Sequence, residues 1–249
     1  MFKFKLVSAV ALAAGLAAPV AAQNSEPNDG RGFYVAAGIG IASVQDTDAV
    51  IYDDGGTFGG TGETDTASAT YGFKNAAALR GTLGYDFGMF RGDLEIDYSR
   101  NKVTALTLNA INGTDVTIDE EEGEEICDYL EIEGCSVSGN TIRYDGGRVR
   151  QLSALANVWV DVPLGGSITP YAGGGLGISG FEVDGEGKAR FAWQLGAGAA
   201  FNLTSSIAIT ADYRHRQAKR AEITWDDVSG MTVAKVKTNT FALGLRATF

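Results

Sequence analysis

The chain has 249 residues, enough for one large domain, and a net charge of −11. That acidity argues against a nucleic-acid partner, which calls for a basic face. Thirty-four glycines, four prolines and a single histidine, His215, favour strands and turns and exclude a histidine-rich metal site.

In chain order, Met1 to Lys5 carries two lysines and no acid, Leu6 to Ala18 is almost wholly apolar, and Val20-Ala21-Ala22 places small residues where a signal peptidase cuts. This layout predicts a secretory signal over residues 1–22 and a mature domain over 23–249. A transmembrane anchor fits less well, because Gly15 and Pro19 break an apolar run already shorter than the ~20 residues a span needs.

Eight stretches then alternate with period two. They run from Phe33 to Ala42, Leu79 to Asp86, Asp93 to Tyr98, Leu152 to Asp161, Tyr171 to Ile178, Phe191 to Phe201, Ile207 to Arg214 and Phe241 to Phe249. Each has one apolar face and one face of glycine, alanine, polar and charged residues. In a soluble sandwich the apolar faces meet in a core, whereas here the other face carries mid-strand charges beside many glycines, as in a narrow space. A barrel in lipid produces that pattern, apolar outside with small and polar residues inside. The expected fold is therefore all-β: an eight-stranded antiparallel transmembrane β-barrel with long extracellular loops. A ten-stranded barrel that recruits parts of residues 103–111 and 140–148 is the alternative.

Connection lengths give independent support. Gly88-Met89, Pro163 to Ser167 and Thr204-Ser205 make short joins, and about residues 44–75, 103–148, 181–188 and 218–236 make long ones. Short and long connections alternate, as tight periplasmic turns and outer loops require. Phe33, Phe87, Phe90, Phe201 and Phe249 near strand ends fit an interfacial aromatic girdle.

The expected inner face gathers Arg80, Arg214, Arg216 and Arg246 with Asp86, Asp93, Glu95, Asp97, Asp161 and Asp212. Eight strands leave little room for water, so these charges read as a salt-bridged plug in preference to a channel lining. If Phe87 pairs with Phe90 across the tight turn, Arg80 lies opposite Asp97 and Thr82 opposite Glu95. Cys127 and Cys135 suit an oxidising compartment and enclose a loop short enough for a disulfide staple. The acidic run from Asp119 to Glu133 misses the calcium-loop spacing and reads as a solvated, self-repelling loop. Glycines at 55, 56, 59, 60 and 62 lack the Gly-Lys-Ser/Thr of a phosphate loop and read as a flexible surface loop. His215 faces outward beside Tyr213 and Gln217, neither of them a nucleophile, so an interfacial role fits better than lipid-A-modifying catalysis.

Several segments resemble a known family. Pro170-Tyr171-Ala172-Gly173-Gly174-Gly175-Leu176-Gly177 resembles a fifth-strand motif of small outer-membrane surface proteins. Phe191 to Gly198 and Asp212-Tyr213-Arg214-His215-Arg216 resemble the two strands that follow it. The ending from Phe241 to Phe249, with Phe241, Leu243, Leu245 and Phe249 outward, resembles the C-terminal signal read by the barrel-assembly machinery. The family is the porin-like, opacity-type surface antigens, whose barrels are similar to the transmembrane domain of OmpA. The resemblance implies a Gram-negative outer-membrane location, contact with outer-membrane lipid and lipopolysaccharide, delivery by periplasmic chaperones, and a host or environmental surface ligand. It implies no cofactor, and no peptidoglycan-binding domain is expected after Phe249. The expected function is a non-enzymatic structural or adhesin-like surface protein, since most of the acidic residues fall in the long loops and form an anionic cap. A narrow porin-like channel is the alternative.

Overall fold

A computed structural model describes residues 31–55, 64–130, 134–183 and 186–249. The expected signal, its Ala22 cleavage point and most of the glycine-rich stretch at 55–62 lie outside them. The elements are β1 (Gly32–Val44), β2 (Thr47–Asp53), β3 (Asp65–Lys74), β4 (Ala76–Asp86), β5 (Phe90–Ile111), β6 (Thr114–Asp115), α1 (Glu120–Leu130), β7 (Ser136–Ser138) and β8 (Thr141–Arg143). They continue with β9 (Arg148–Asp161), β10 (Ile168–Val183), β11 (Glu186–Asn202), β12 (Ile207–Ala218), β13 (Ala221–Thr224), β14 (Ser229–Val233) and β15 (Val236–Thr248).

Every pairing is antiparallel. Eight strands close a ring in the order β5, β4, β1, β15, β12, β11, β10, β9, and β9 returns to β5. The last seam joins Phe90–Lys102 to Arg148–Val160, so the sheet has no open edge at membrane depth. The register around the first turn places Arg80 opposite Asp97 and Thr82 opposite Glu95, with the Phe87 amide donating to the Phe90 carbonyl at 2.8 Å. Gly88 makes this turn possible through a φ of +104°, and its amide donates to Asp86 at 2.8 Å.

The alternation of the sequence becomes an inside-out distribution. Leu94 is 64% exposed and its neighbour Glu95 is 1% exposed. Phe33, Ile39, Ile41, Leu83, Ile96, Leu176, Phe241, Leu243, Leu245 and Phe249 all face outward. An apolar exterior of this extent is tolerable only against lipid. Around the short-turn end Phe33, Phe87, Phe90, Phe201 and Phe249 are exposed, and Tyr85 stacks between Phe33 and Phe87.

The long connections differ from the loops expected. Residues 47–53 and 65–74 form the β2–β3 hairpin, whose β3 pairs with the upper part of β5. β13 and β14 form a second hairpin that joins β2. The ten-stranded alternative is not realised, because residues 103–111 continue β5 and do not start a new strand. The ring thus extends at one end into a raised sheet of β13, β14, β2, β3, β5, β8 and β7.

Glu120–Leu130 of the acidic run form a helix where a loop was expected. Asp119 caps α1, accepting from the Glu122 amide at 2.9 Å, while Glu122 accepts from the Asp119 amide at 3.1 Å. This reciprocal box satisfies two amides that a helix start leaves unpaired. Gly123 is buried against Val137 of β7, where a Cβ would come within 2.8 Å of the valine. Cys127 and Cys135 are disulfide-bonded, with Cα atoms 5.6 Å apart, which ties the end of α1 to β7.

Candidate functional site

The ring interior is where buried polar chemistry concentrates. Inward positions of five strands bring together five arginines and six acids: Arg80, Arg91, Arg214, Arg216 and Arg246 with Asp86, Asp93, Glu95, Asp97, Asp161 and Asp212. Ten of these stand on the expected inner face. Arg91 went unread because Phe90-Arg91-Gly92 borders the turn, although parity counted back from Asp93 places it inside.

Nearest the short turns, Arg91 forms a forked pair with Asp161, Nε to Oδ2 at 2.7 Å and Nη2 to Oδ1 at 2.8 Å. Its guanidinium lies 4.8 Å from the Tyr171 ring centroid. Arg246 lies 5.8 Å from the Tyr34 centroid. In the next layer Asp93 accepts three hydrogen bonds, from the Tyr34 hydroxyl at 2.6 Å, Asn157 Nδ2 at 2.7 Å and the Trp159 indole at 2.8 Å. A carboxylate so satisfied is held in one rotamer.

Trp159 is the largest fully buried side chain, and glycines make room for it. A Cβ on Gly173 would meet the Trp159 ring at 2.8 Å and the Val158 carbonyl at 2.1 Å, and one on Gly196 would meet the ring at 3.1 Å. Gly173 on β10 and Gly196 on β11 are thus the complement of a tryptophan on β9. Arg214 covers the other side of the indole, 4.6 Å from the ring centroid.

The central layer is a branched ionic lattice. Arg214 pairs with both Glu95 and Asp212, the latter at 2.9 Å. Arg80 Nη1 donates to Asp212 at 2.7 Å, and the Tyr171 hydroxyl donates to its second oxygen at 3.1 Å. Above it Arg216 Nη2 donates to Asp97 at 2.8 Å. Arg80 Nε lies 3.6 Å from Asp97 and 3.7 Å from Glu95, beyond hydrogen-bond length. The pair that the register sets opposite is therefore a secondary contact, and Arg80 reaches across the ring to Asp212. Gln194 links Glu95 and Asn157 at 3.1 and 2.7 Å. A neutral layer of Gln151, Ser153, Ser179 and Thr238 closes the lattice toward the raised sheet.

This lattice fills the bore. The cavity left among Tyr34, Arg80, Arg91, Asp93, Arg214 and Arg246 measures about 30 Å³, roughly the volume of one water molecule. Among the described residues no group of three or more His, Cys, Asp or Glu side chains is placed to hold a metal ion. His215 lies on the outer wall, Nδ1 2.8 Å from Asn239 Oδ1 and its ring 5.6 Å from that of Trp193. At the tip of the raised sheet, hydrogen bonds from the Val228 and Ser229 amides hold the Asp226 carboxyl below the usual carboxylate range.

Comparison with known proteins agrees with this architecture. The family model described as "Outer membrane protein beta-barrel domain" matches residues 8–249. The outer membrane protein OprG from Pseudomonas aeruginosa is 13% identical, with a TM-score of 0.54 over 88% of this chain and 97% of that one. Neisserial surface protein A is 15% identical, with a TM-score of 0.49 over 87% and 97%. An uncharacterized protein of Brucella abortus (strain 2308) is 26% identical over 164 residues, 58% of this chain and 52% of its own. The chain spans about half the length of the curated relatives it matches.

Proposed function

Because the chain belongs to the outer membrane protein beta-barrel domain family, we propose that it is a non-enzymatic surface protein whose barrel serves as an anchor. The short turns face the periplasm, and the raised sheet with α1 faces outward as the interacting part. The observation that carries this reading is the interlocked lumen, where arginines and acids pair across the bore and leave a cavity of about 30 Å³ among Tyr34, Arg80, Arg91, Asp93, Arg214 and Arg246. A hydrated solute path needs a continuous bore, and this one is crossed by ion pairs at several depths. The described contacts of His215 are an asparagine and a tryptophan, with no nucleophile among them, which supports a non-catalytic reading.

The raised sheet supports an adhesin-like role. It presents an acidic helix held by a capping box and a disulfide, and Trp225 and Val228 stand exposed at a hairpin tip. Assembly through periplasmic chaperones and the barrel-assembly machinery is in keeping with Phe241, Leu243, Leu245 and Phe249 along the outer face of β15.

The test is planar-bilayer recording of refolded protein. The expected result is an absence of stepwise conductance above the lipid background. Discrete steps in the wild type would overturn the plug and favour the narrow-channel alternative. Surface biotinylation of intact cells reports orientation separately, with Lys188 and Lys235, exposed at the end opposite the short turns, expected to label.

A further inference from the structure

The chain is acidic, yet one seam of its outer wall is basic. On β5 the residues facing outward run Leu94, Ile96, Tyr98, Arg100 and Lys102, and on β9 they run Ala154, Leu152, Arg150 and Arg148. The register sets Arg100 opposite Arg150 and Lys102 opposite Arg148, and on the other side of β5 it sets Lys74 opposite Lys102. One row of cations thus crosses two strands and the next crosses three, starting one outward step above the apolar belt. Directly opposed like charges on a sheet repel.

The chain supplies only part of the compensation. Arg150 pairs with Glu182 at 2.8 Å, and Lys102 pairs with Asp145. Among the described residues no side-chain hydrogen bond or ion pair involves Lys74, Arg100 or Arg148, and all three are exposed. Lys219 and Lys237, also outward near this end, stand apart from the seam: Lys219 lies over the Phe191 ring, and Lys237 is opposite Gln217.

We propose that the β5–β9 seam, with Lys74, is a binding site for the phosphate groups of a glycolipid of the outer leaflet. The height of the cations identifies the ligand. Arg100 is two residues beyond Tyr98 on the same face, about 7 Å at ordinary strand rise, which is headgroup depth for an apolar belt ending at Tyr98 and Leu152. A lipid whose chains lie on Leu94, Ile96 and Leu152 brings its phosphates to Arg100 and Arg148 without leaving the bilayer. Guanidinium groups match phosphate oxygens in forked geometry. A soluble polyanion would instead approach through the acidic helix and loops above, which repel it.

The proposal rests on the outward orientation of the raised sheet, which surface biotinylation tests independently. The experiment here uses purified, folded full-length protein in detergent, so it does not depend on orientation. Native mass spectrometry would titrate it with bisphosphorylated lipid A and with the same lipid after phosphate removal. Wild type is expected to retain the phosphorylated lipid, and Lys74→Gln/Arg100→Gln/Arg148→Gln to bind it about 100-fold more weakly, as three interfacial cations contribute. Lys74→Gln/Arg148→Gln spares the belt-proximal arginine should the triple variant fail to fold, and is expected to lose about 30-fold. Lys219→Gln/Lys237→Gln is expected to match wild type. Equal retention of the two lipids by wild type, unchanged binding by the seam variants, or an equal loss in the Lys219/Lys237 control would overturn the site.

Discussion

Removing Arg80 tests whether the lumen is held by adjacent-strand pairs or by pairs across the bore. Arg80 donates to Asp212 at 2.7 Å but only approaches Asp97 at 3.6 Å. A hydrogen bond to a charged group contributes about 1.5–3 kcal/mol, whereas a contact beyond bonding distance keeps only a screened Coulomb part. The coupling energy from a double-mutant cycle should therefore be about 2–3 kcal/mol for Arg80→Leu with Asp212→Leu, and about 1 kcal/mol or less for Arg80→Leu with Asp97→Leu. The single variants follow from what each leaves behind. Breaking a buried pair costs about 3–5 kcal/mol. Arg80→Leu falls at the lower end, because Asp212 keeps Arg214 at 2.9 Å and Asp97 keeps Arg216 at 2.8 Å. Arg216→Leu falls at the upper end, because Asp97 is left with the long Arg80 contact alone. Urea unfolding in lipid vesicles, followed by tryptophan fluorescence with Trp159 as the lumen reporter, measures each value. A coupling of Arg80 to Asp97 as large as its coupling to Asp212, or an Arg216→Leu variant more stable than Arg80→Leu, would refute the cross-bore lattice.

Replacing Cys127 and Cys135 by serine should speed proteolysis between β6 and β8 while leaving the urea midpoint of the barrel unchanged. The disulfide closes a short local loop, worth about 2.5 kcal/mol by chain entropy, and a matching fall in barrel stability would show that the cap and the ring unfold together. His215→Gln should leave the lipid A profile of producing cells unaltered, and a lost acylation or deacylation product would restore an enzymatic reading. Mass spectrometry of the protein from outer membranes should find a mature N-terminus at Gln23, and a retained Met1 would remove the case for cleavage after Ala22.

The ring was legible in the sequence because a wall between lipid and a narrow polar bore imposes strict alternation over about ten residues. The turn at Gly88-Met89 also fixed one register, Arg80 against Asp97, correctly. The preferred partner of Arg80 was not legible. Asp212 stands 132 positions away on a strand that is not a neighbour, and only closure of the barrel brings the two within 2.7 Å. The raised sheet escaped for a different reason. Residues 65–74, Asp-Thr-Ala-Ser-Ala-Thr-Tyr-Gly-Phe-Lys, alternate small with small, so period two carries almost no hydropathy signal there. Helix α1 did carry a local signature, Asp119 followed three residues later by Glu122, beneath a density of like charge that reads first as repulsion.

Strand β5 runs unbroken for 22 residues, from Phe90 in the short-turn girdle to Ile111 beside the β2–β3 hairpin. Crossing a bilayer takes about 9–11 tilted residues, so half of its length stands clear of the lipid, where it exchanges β4 and β9 for β3 and β8 as ladder partners. The exposed platform is therefore carried on the barrel wall by an unbroken backbone strand. A partner that docks on the upper part of β5 and its pairings with β3 and β8 meets backbone already ordered by the ladder, which limits the chain entropy lost on binding. The continuity also has a geometric effect: the tilt of the platform follows the tilt of the barrel wall, so two such molecules in one membrane present their platforms at a common inclination to the membrane plane.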